Sequence, residues 1–391
     1  MTIKATGIAY LNVKNFTFDM VPIKRLICMH FFFVLGCYEY KELKVNNKKD
    51  DSDQLAILLS EKQPDTITFS KSIFMILTDN LPSDYLVTKQ KSDNLLIPYS
   101  IIKTAKEAKK ENVKEIILMA SERPDKITHV RSTLELWGLS SYIDYLYTTG
   151  ELCFLEGLTP IFEGGFLSAS EIKYFSEILA FLKIIIPSSN LKHYEEKYGK
   201  DYAKKYLEIR LKMFEWTGKL NVPVIGGIII GNNTTDPETK RSIDKICDFN
   251  AQYNNVHSIT FQSQMLIKDG HTTKKSDNQL IKAIKYFQSK NSNISLSVSP
   301  IHMHNIEEFL DAGVTDFGSI AINPTTIFPK IEPINFEEIE SILDKKGFKF
   351  QQRLPIMYDY IKNGCYSKKL GQVFDSYKYK IKKYEQEKIK Q

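Results

Sequence analysis

The stretch VPVIGGIIIGNNTTDPETK (222–240) carries a strand, a turn and a helix start in one short run. Val222 to Ile230 is apolar on successive residues, as a parallel strand covered on both faces must be. Gly231 and NNTT (232–235) break the run. Asp236 followed by Pro237 fits a helix N-cap with proline in the first turn. The same grammar recurs on both sides. Strands are expected at 67–77, 113–120, 159–164, 183–188, 222–231, 257–264, 294–300 and 316–322. Amphipathic helices are expected at 99–112, 171–181, 201–218 and 277–290, with Ser168 and Glu171 as a capping box and Gly218 and Gly313 as left-handed helix ends. Eight such alternations predict an α/β chain folded as a (β/α)8 TIM-like barrel, or a partial barrel of six strands, with chemistry at the C-terminal strand ends.

Around that unit, residues 1–65 are expected to form an irregular extension and linker, 66–364 the barrel, and 365–391 a basic tail. The tail from Lys368 onward holds eight Lys against Asp375, Glu385 and Glu387, so it accounts for most of the formal charge of +6. The remaining body is nearly neutral, which argues against a nucleic-acid-coating protein. Tyr377, Ile381 and Tyr384 are expected to pack the tail helix onto the barrel. The five Cys, at 28, 37, 153, 247 and 365, give neither a disulfide framework nor a metal knuckle, and fit a reducing cytoplasm. Leu26 to Cys37 is the longest apolar run, too short for a membrane span of ~20 residues and too deep for an ordinary signal peptide; a buried segment is expected.

Three loops at strand ends hold functional candidates. Ser121-Glu122-Arg123-Pro124-Asp125 sets a carboxylate and a guanidinium at the mouth, or makes a surface ion pair at a helix entry. At Gly231 the backbone can approach an anion beside a helix N-terminus, or simply turn. His302 and His304 have the spacing of a metal clip, but His257 is distant in the sequence, and two solvated loop histidines are expected. Neither a Gly-x-Ser-x-Gly elbow nor a His-Glu-x-x-His helix occurs.

Six further segments, in order, carry a resemblance. ITFSKSIFMILTD (67–79) is similar to "vTySrkvFiPLT", ILMASERPDK (117–126) to "lfTlGErPe", and GLTPIFEGGFLS (157–168) to "GLlPHlNpGvls". WTGKLNVPVIGGIIIGNNT (216–234) is similar to "aGrlsIPFTTGiLiGIGEt", DAGVTDFGSIAI (311–322) to "agInDwGGISPvT", and GFKFQQRLPIMYDYI (347–361) to "Gf.L.eRLpiyp.yi". From about Thr66 to Gly364 the chain thus resembles the CofG-type FO synthase family. These are radical S-adenosylmethionine (SAM) enzymes, lyases that build a deazaflavin chromophore.

The resemblance implies a SAM-type barrel, SAM and an iron–sulfur cluster held by C-x-x-x-C-x-x-C after the first strand. In this chain those three positions fall on Leu81, Tyr85 and Thr88, and no Cys occurs between 37 and 153. Glu122 keeps the carboxylate that would receive the amino group of SAM, Arg210 matches an Arg before the fifth strand, and Arg123 and Gly231 complete the implied cofactor-binding set. Other mouth carboxylates are replaced: the Glu of "GIGE" by Thr234, that of "SMGlMLE" by Pro187 (strand 181–187), and that of "IQEVIVQNF" by Ser258. Three readings stay open. One is a cluster-free, non-catalytic or repurposed scaffold, a pseudoenzyme binding an adenosyl or flavin-like ligand or a sibling radical-SAM subunit. The second is an active FO synthase, and the third a cluster-free barrel enzyme working around Glu122, Arg123 and the 302–304 loop.

Overall fold

The structure is a computed structural model. It describes residues 65–78, 94–121, 123–186, 199–231, 236–290, 294–328, 330–356 and 358–389, with 192, 195 and 196 besides. The extension, its apolar run with Cys28 and Cys37, Glu122, and the stretch with Leu81, Tyr85 and Thr88 lie outside the described residues.

Each expected strand forms: β1 Thr66–Ile76, β2 Glu115–Met119, β3 Thr159–Glu163, β4 Phe181–Ile186, β5 Val224–Ile230, β6 Val256–Ser263, β7 Ser295–Ser297 and β8 Asp316–Ala321. All neighbours pair in parallel, in the order β7-β6-β5-β4-β3-β2-β1-β8. The sheet curls until its ends nearly meet. Val298 N–H donates to Asp316 O at 3.2 Å across the seam, and a Cβ on Gly318 would stand 3.1 Å from that of Ser297. The result is a nearly closed (β/α)8 barrel. Strands with five to seven consecutive buried residues, as in β2, β3 and β5, show why their sequences lack alternation: helices cover them outside and side chains fill them inside.

A ninth strand, β9 Lys349–Gln352, extends the barrel floor. It pairs with Thr66–Phe69 of β1, while β2 pairs with Ser72–Ile76. Below it the chain closes the N-terminal end: Leu354, Ile356, Ile361, Leu370 and Phe374 pack against Phe181 and Ile225. The basic tail is a helix, Lys368–Ile389, held by Leu370 and Phe374, with Tyr377 packed beside them. Ile381 and Tyr384 belong to it, with side chains outside the described ones.

Two local expectations need correction. Gly218 lies inside the helix Lys200–Lys219, which ends at Leu220 with Asn221 in the left-handed region (φ 55°). A Cβ on Gly218 would sit 2.3 Å from the Tyr253 ring, so close helix packing demands the glycine. The helix expected at 171–181 is Ala169–Phe175 only, because Phe181 opens β4 and packs among the floor residues. Gly313 does take the left-handed conformation (φ 90°), and Ser168 with Glu171 forms the full capping box. Among the described residues no helix is long and apolar enough to cross a membrane.

Candidate functional site

Inward-facing positions of the barrel are apolar at the mouth, but charged or hydroxylated side chains stand among them deeper inside. Glu163 ends β3 and Lys183 sits mid-β4 directly opposite it in register. Their Oε2 and Nζ lie 2.7 Å apart, with the side chains 4% and 12% exposed. Both line a cavity of about 70 Å3. From β6 it receives Ser258, Thr260 and Gln262. Thr260 and Ser297 hydroxyls share a hydrogen bond of 2.8 Å, whereas the buried Gln262 Oε1 has no partner. His302 completes the wall. Ser263 N–H donates to its Nδ1 at 3.1 Å, so the ring proton belongs on Nε2. Burial, with the Lys183 charge adding to it, pushes the imidazole down to about 3 and keeps it neutral.

Above the cavity Ile117, Met119, Ile185 and Ile229 meet Ile327 and Phe328 from the loop after β8 in an apolar layer. Below it a second charged group anchors the floor. Arg353 grips Asp316 through Nε–Oδ2 (2.6 Å) and Nη2–Oδ1 (3.0 Å), while Thr68 Oγ1 and Gly318 N–H donate to the same carboxylate. Burial pushes Asp316 up, but the Arg353 charge and these hydrogen bonds outweigh it and leave the carboxyl below its usual range. Glu115 is fully buried and raised by desolvation, against the Ser319 hydroxyl and the Arg353 charge. His257 stacks on Phe181 at 4.5 Å, and burial pushes it down to about 3.

The residues singled out in the sequence sit elsewhere. Arg123 binds Asp125 (Nε–Oδ1, 3.0 Å) and Glu171 (Nη1–Oε1, 2.9 Å), and Glu171 also completes the capping box of the helix Ala169–Phe175. Arg210 is buried: Nη1 donates to Gly164 O at 2.8 Å, Nη2 to Tyr206 OH at 2.9 Å, and its guanidinium lies 5.0 Å from the Phe166 and Tyr206 ring centroids. The two arginines therefore flank the 164–171 segment. Gly231 stands apart, its carbonyl accepting from Gln279 Nε2 at 3.0 Å; a Cβ there would meet Gln264 Oε1 at 1.9 Å. None of the three lines the cavity.

The histidine loop also differs from expectation. His302 is buried, not solvated, because its backbone turns inward under Phe328; His304 lines a separate outer groove. Asp277 fixes that loop by accepting from the His304 and Asn305 backbone N–H groups. Glu163 and Lys183 escaped sequence reading because each appears alone in an apolar strand. The available signal was their inward phase, shared with Ser258, Thr260 and Gln262.

Among the described residues no set of thiols is gathered as an iron–sulfur cluster requires. Cys153 is buried in the helix Tyr142–Leu155 with its thiol pushed up by burial, Cys247 lies on the helix Asp236–Tyr253, and Cys365 is exposed beyond Asn363. None stands at a strand C-terminus. Among the described residues no three His, Cys, Asp or Glu side chains could hold a metal ion.

No protein-family model matches the chain. It is similar to the 7,8-didemethyl-8-hydroxy-5-deazariboflavin synthase of Methanococcus aeolicus, 25% identical over 317 residues that cover 78% of this chain and 88% of that protein. The synthase of that name from Methanococcus maripaludis strain C6 is 27% identical over 347 residues, covering 84% and 96%. Among solved structures, the FeFe-hydrogenase maturase HydG from Carboxydothermus hydrogenoformans shares the fold, with a TM-score of 0.55 at 12% identity over 92% of this chain and 89% of that one.

Proposed function

Since the chain is a divergent relative of the 7,8-didemethyl-8-hydroxy-5-deazariboflavin synthases, we propose that it keeps their barrel and works without their cluster. In this reading it is a repurposed scaffold that binds an adenosyl or flavin-like ligand, or a sibling subunit, in the cytoplasm. The observation that carries it is the donor set: Leu81, Tyr85 and Thr88 stand where the family places three thiolates, and soft thiolates are what hold such clusters. Cys153, Cys247 and Cys365 form no disulfide with one another and lie on helices or beyond them, which supports a reducing compartment. Arg123, Arg210 and Gly231, with Glu122, remain the proposed contacts for an adenosyl ligand. Ligand entry at Arg123 would have to compete with Asp125 and Glu171.

Anaerobic reconstitution with iron and sulfide tests this reading. The expected product is colourless and iron-free after desalting. A brown protein absorbing near 400 nm, with stoichiometric iron and sulfide, would refute it. A second reading, a cluster-free enzyme, is favoured by the charged pair inside the barrel. Glu163 stands at the Asn of "GLlPHlNpG" and Lys183 at the Gly of "SMGlMLE", so that pair is a departure from the family pattern.

A further inference from the structure

We propose that Lys183 forms a reversible imine with a short, uncharged hydroxy-carbonyl compound bound in the cavity between β3, β4 and β6. The inference rests on the cluster-free reading only in needing no cluster.

Three features of the cavity converge on that chemistry. A lysine amine becomes a nucleophile when it can lose its proton inside a desolvated site. Glu163 Oε2, 2.7 Å from Lys183 Nζ, is the group positioned to take that proton. The size is set by about 70 Å3 of space, room for about five water-sized groups. The ligand's polarity is set by the remaining wall. Gln262 Oε1 is a buried acceptor with no partner, which a ligand hydroxyl satisfies. His302 Nε2–H is a neutral donor. A carboxylate or phosphate on the ligand would find no second cation, since Arg353, which also lines the cavity, is bound to Asp316.

The step balances within these groups. Glu163 accepts a proton from the Lys183 ammonium, and the neutral Nζ attacks the carbonyl carbon, forming the C–N bond as the C=O π pair moves to oxygen. The nitrogen of that adduct passes one proton to the alkoxide oxygen, which gives a neutral carbinolamine while Glu163 stays protonated. Its hydroxyl, protonated through Glu163, leaves as water, and the nitrogen lone pair closes the C=N bond. No oxidant, reductant or metal takes part, and hydrolysis is the reverse. Glu163 moves the proton; Gln262 and His302 position the ligand.

Glycolaldehyde with cyanoborohydride at neutral pH traps the imine as a secondary amine, and peptide mapping locates it. The expected result is an adduct at Lys183 that accumulates at least tenfold faster than at exposed lysines such as Lys110 and Lys349. Lys183→Arg should remove that adduct. Glu163→Gln should slow it, and Gln262→Leu should slow trapping of glycolaldehyde while leaving acetaldehyde, which lacks the hydroxyl, unchanged. Labelling of Lys183 no faster than of Lys110 in the native wild-type protein overturns the proposal, and that comparison needs no variant to fold. Equal slowing of both aldehydes in Gln262→Leu overturns the assigned ligand class. Iron loading on reconstitution would sink the cluster-free reading and leave the labelling ratio untouched, so the two failures are distinguishable.

Discussion

Arg353→Met removes the guanidinium that holds Asp316 at the floor of the barrel, where β1, β8 and β9 meet. Asp316 is 1% exposed and accepts two hydrogen bonds from Arg353, one from Thr68 and one from Gly318. Arg353 Nη1 also donates to Leu354 O at 3.0 Å, which orients the floor segment. Breaking a buried pair by deleting one partner costs about 3–5 kcal/mol, because the remaining charge stays desolvated. At a rate of roughly 2 °C per kcal/mol for a domain of this size, the variant should melt about 6–10 °C lower. Without its partner, Asp316 is left to desolvation, which raises its pKa and lets it protonate in mild acid. The gap between variant and parent should therefore narrow as pH falls from 7 to 4.5. Arg353→Met with Asp316→Asn should cost less than the sum of the singles, with a coupling of about 1–3 kcal/mol. Urea unfolding followed by the fluorescence of Trp137 and Trp216 measures each corner at both pH values. A single-variant loss below about 1 kcal/mol, or a gap independent of pH, would refute the assignment of this pair as the anchor of the floor.

Two other expectations follow from the same interior. His257 and His302 titrate near 3 in the folded chain, depressed by burial, against ~6.5 when unfolded. The unfolded state therefore binds more protons between those values, and stability present above pH 6.5 is lost as pH falls toward 3, by roughly 1.4 kcal/mol per pH unit for each ring. Glu115, raised by burial, partly opposes this below its folded pKa, so the clean measurement is the difference between wild type and His257→Phe. That variant keeps an aromatic ring between Phe181 and Tyr360 and should show a shallower loss of urea midpoint from pH 6 to 4; an unchanged slope would show that His257 is not buried and neutral. Phe328→Ala thins the apolar layer over the cavity, and large aromatic truncations cost about 3–5 kcal/mol. Aldehyde labelling of Lys183 should rise several-fold in it, and an unchanged rate would mean that ligands enter by another route.

Strand existence was legible throughout, from Ile67 in β1 to Ala321 in β8, because each parallel strand must be apolar on both faces. Boundaries slipped where packing decided them. Phe181 reads as the end of a helix but begins β4, since its ring packs against the floor. Gly218 reads as a helix end but lies within the helix, since Tyr253 occupies the space of its missing Cβ. β9 went unseen because KFQQ (349–352) has no apolar run, and its pairing partner is almost three hundred residues earlier in the chain. Glu122, Arg123 and Gly231 in loops and Arg210 in a helix were singled out as site residues by local pattern and likeness to a motif, which carry no information about which side chains share a cavity.

By itself the amino-acid sequence determined the eight strands β1 to β8, their alternation with helices and the absence of cysteine between 37 and 153, because each of these is a property of neighbouring residues: periodicity, caps and residue type. Only the tertiary structure brought Glu163 to Lys183, Gln262 and His302, and Arg353 to Asp316. Those groups come from different strands and loops, and nothing short of closing the sheet takes them out of water together.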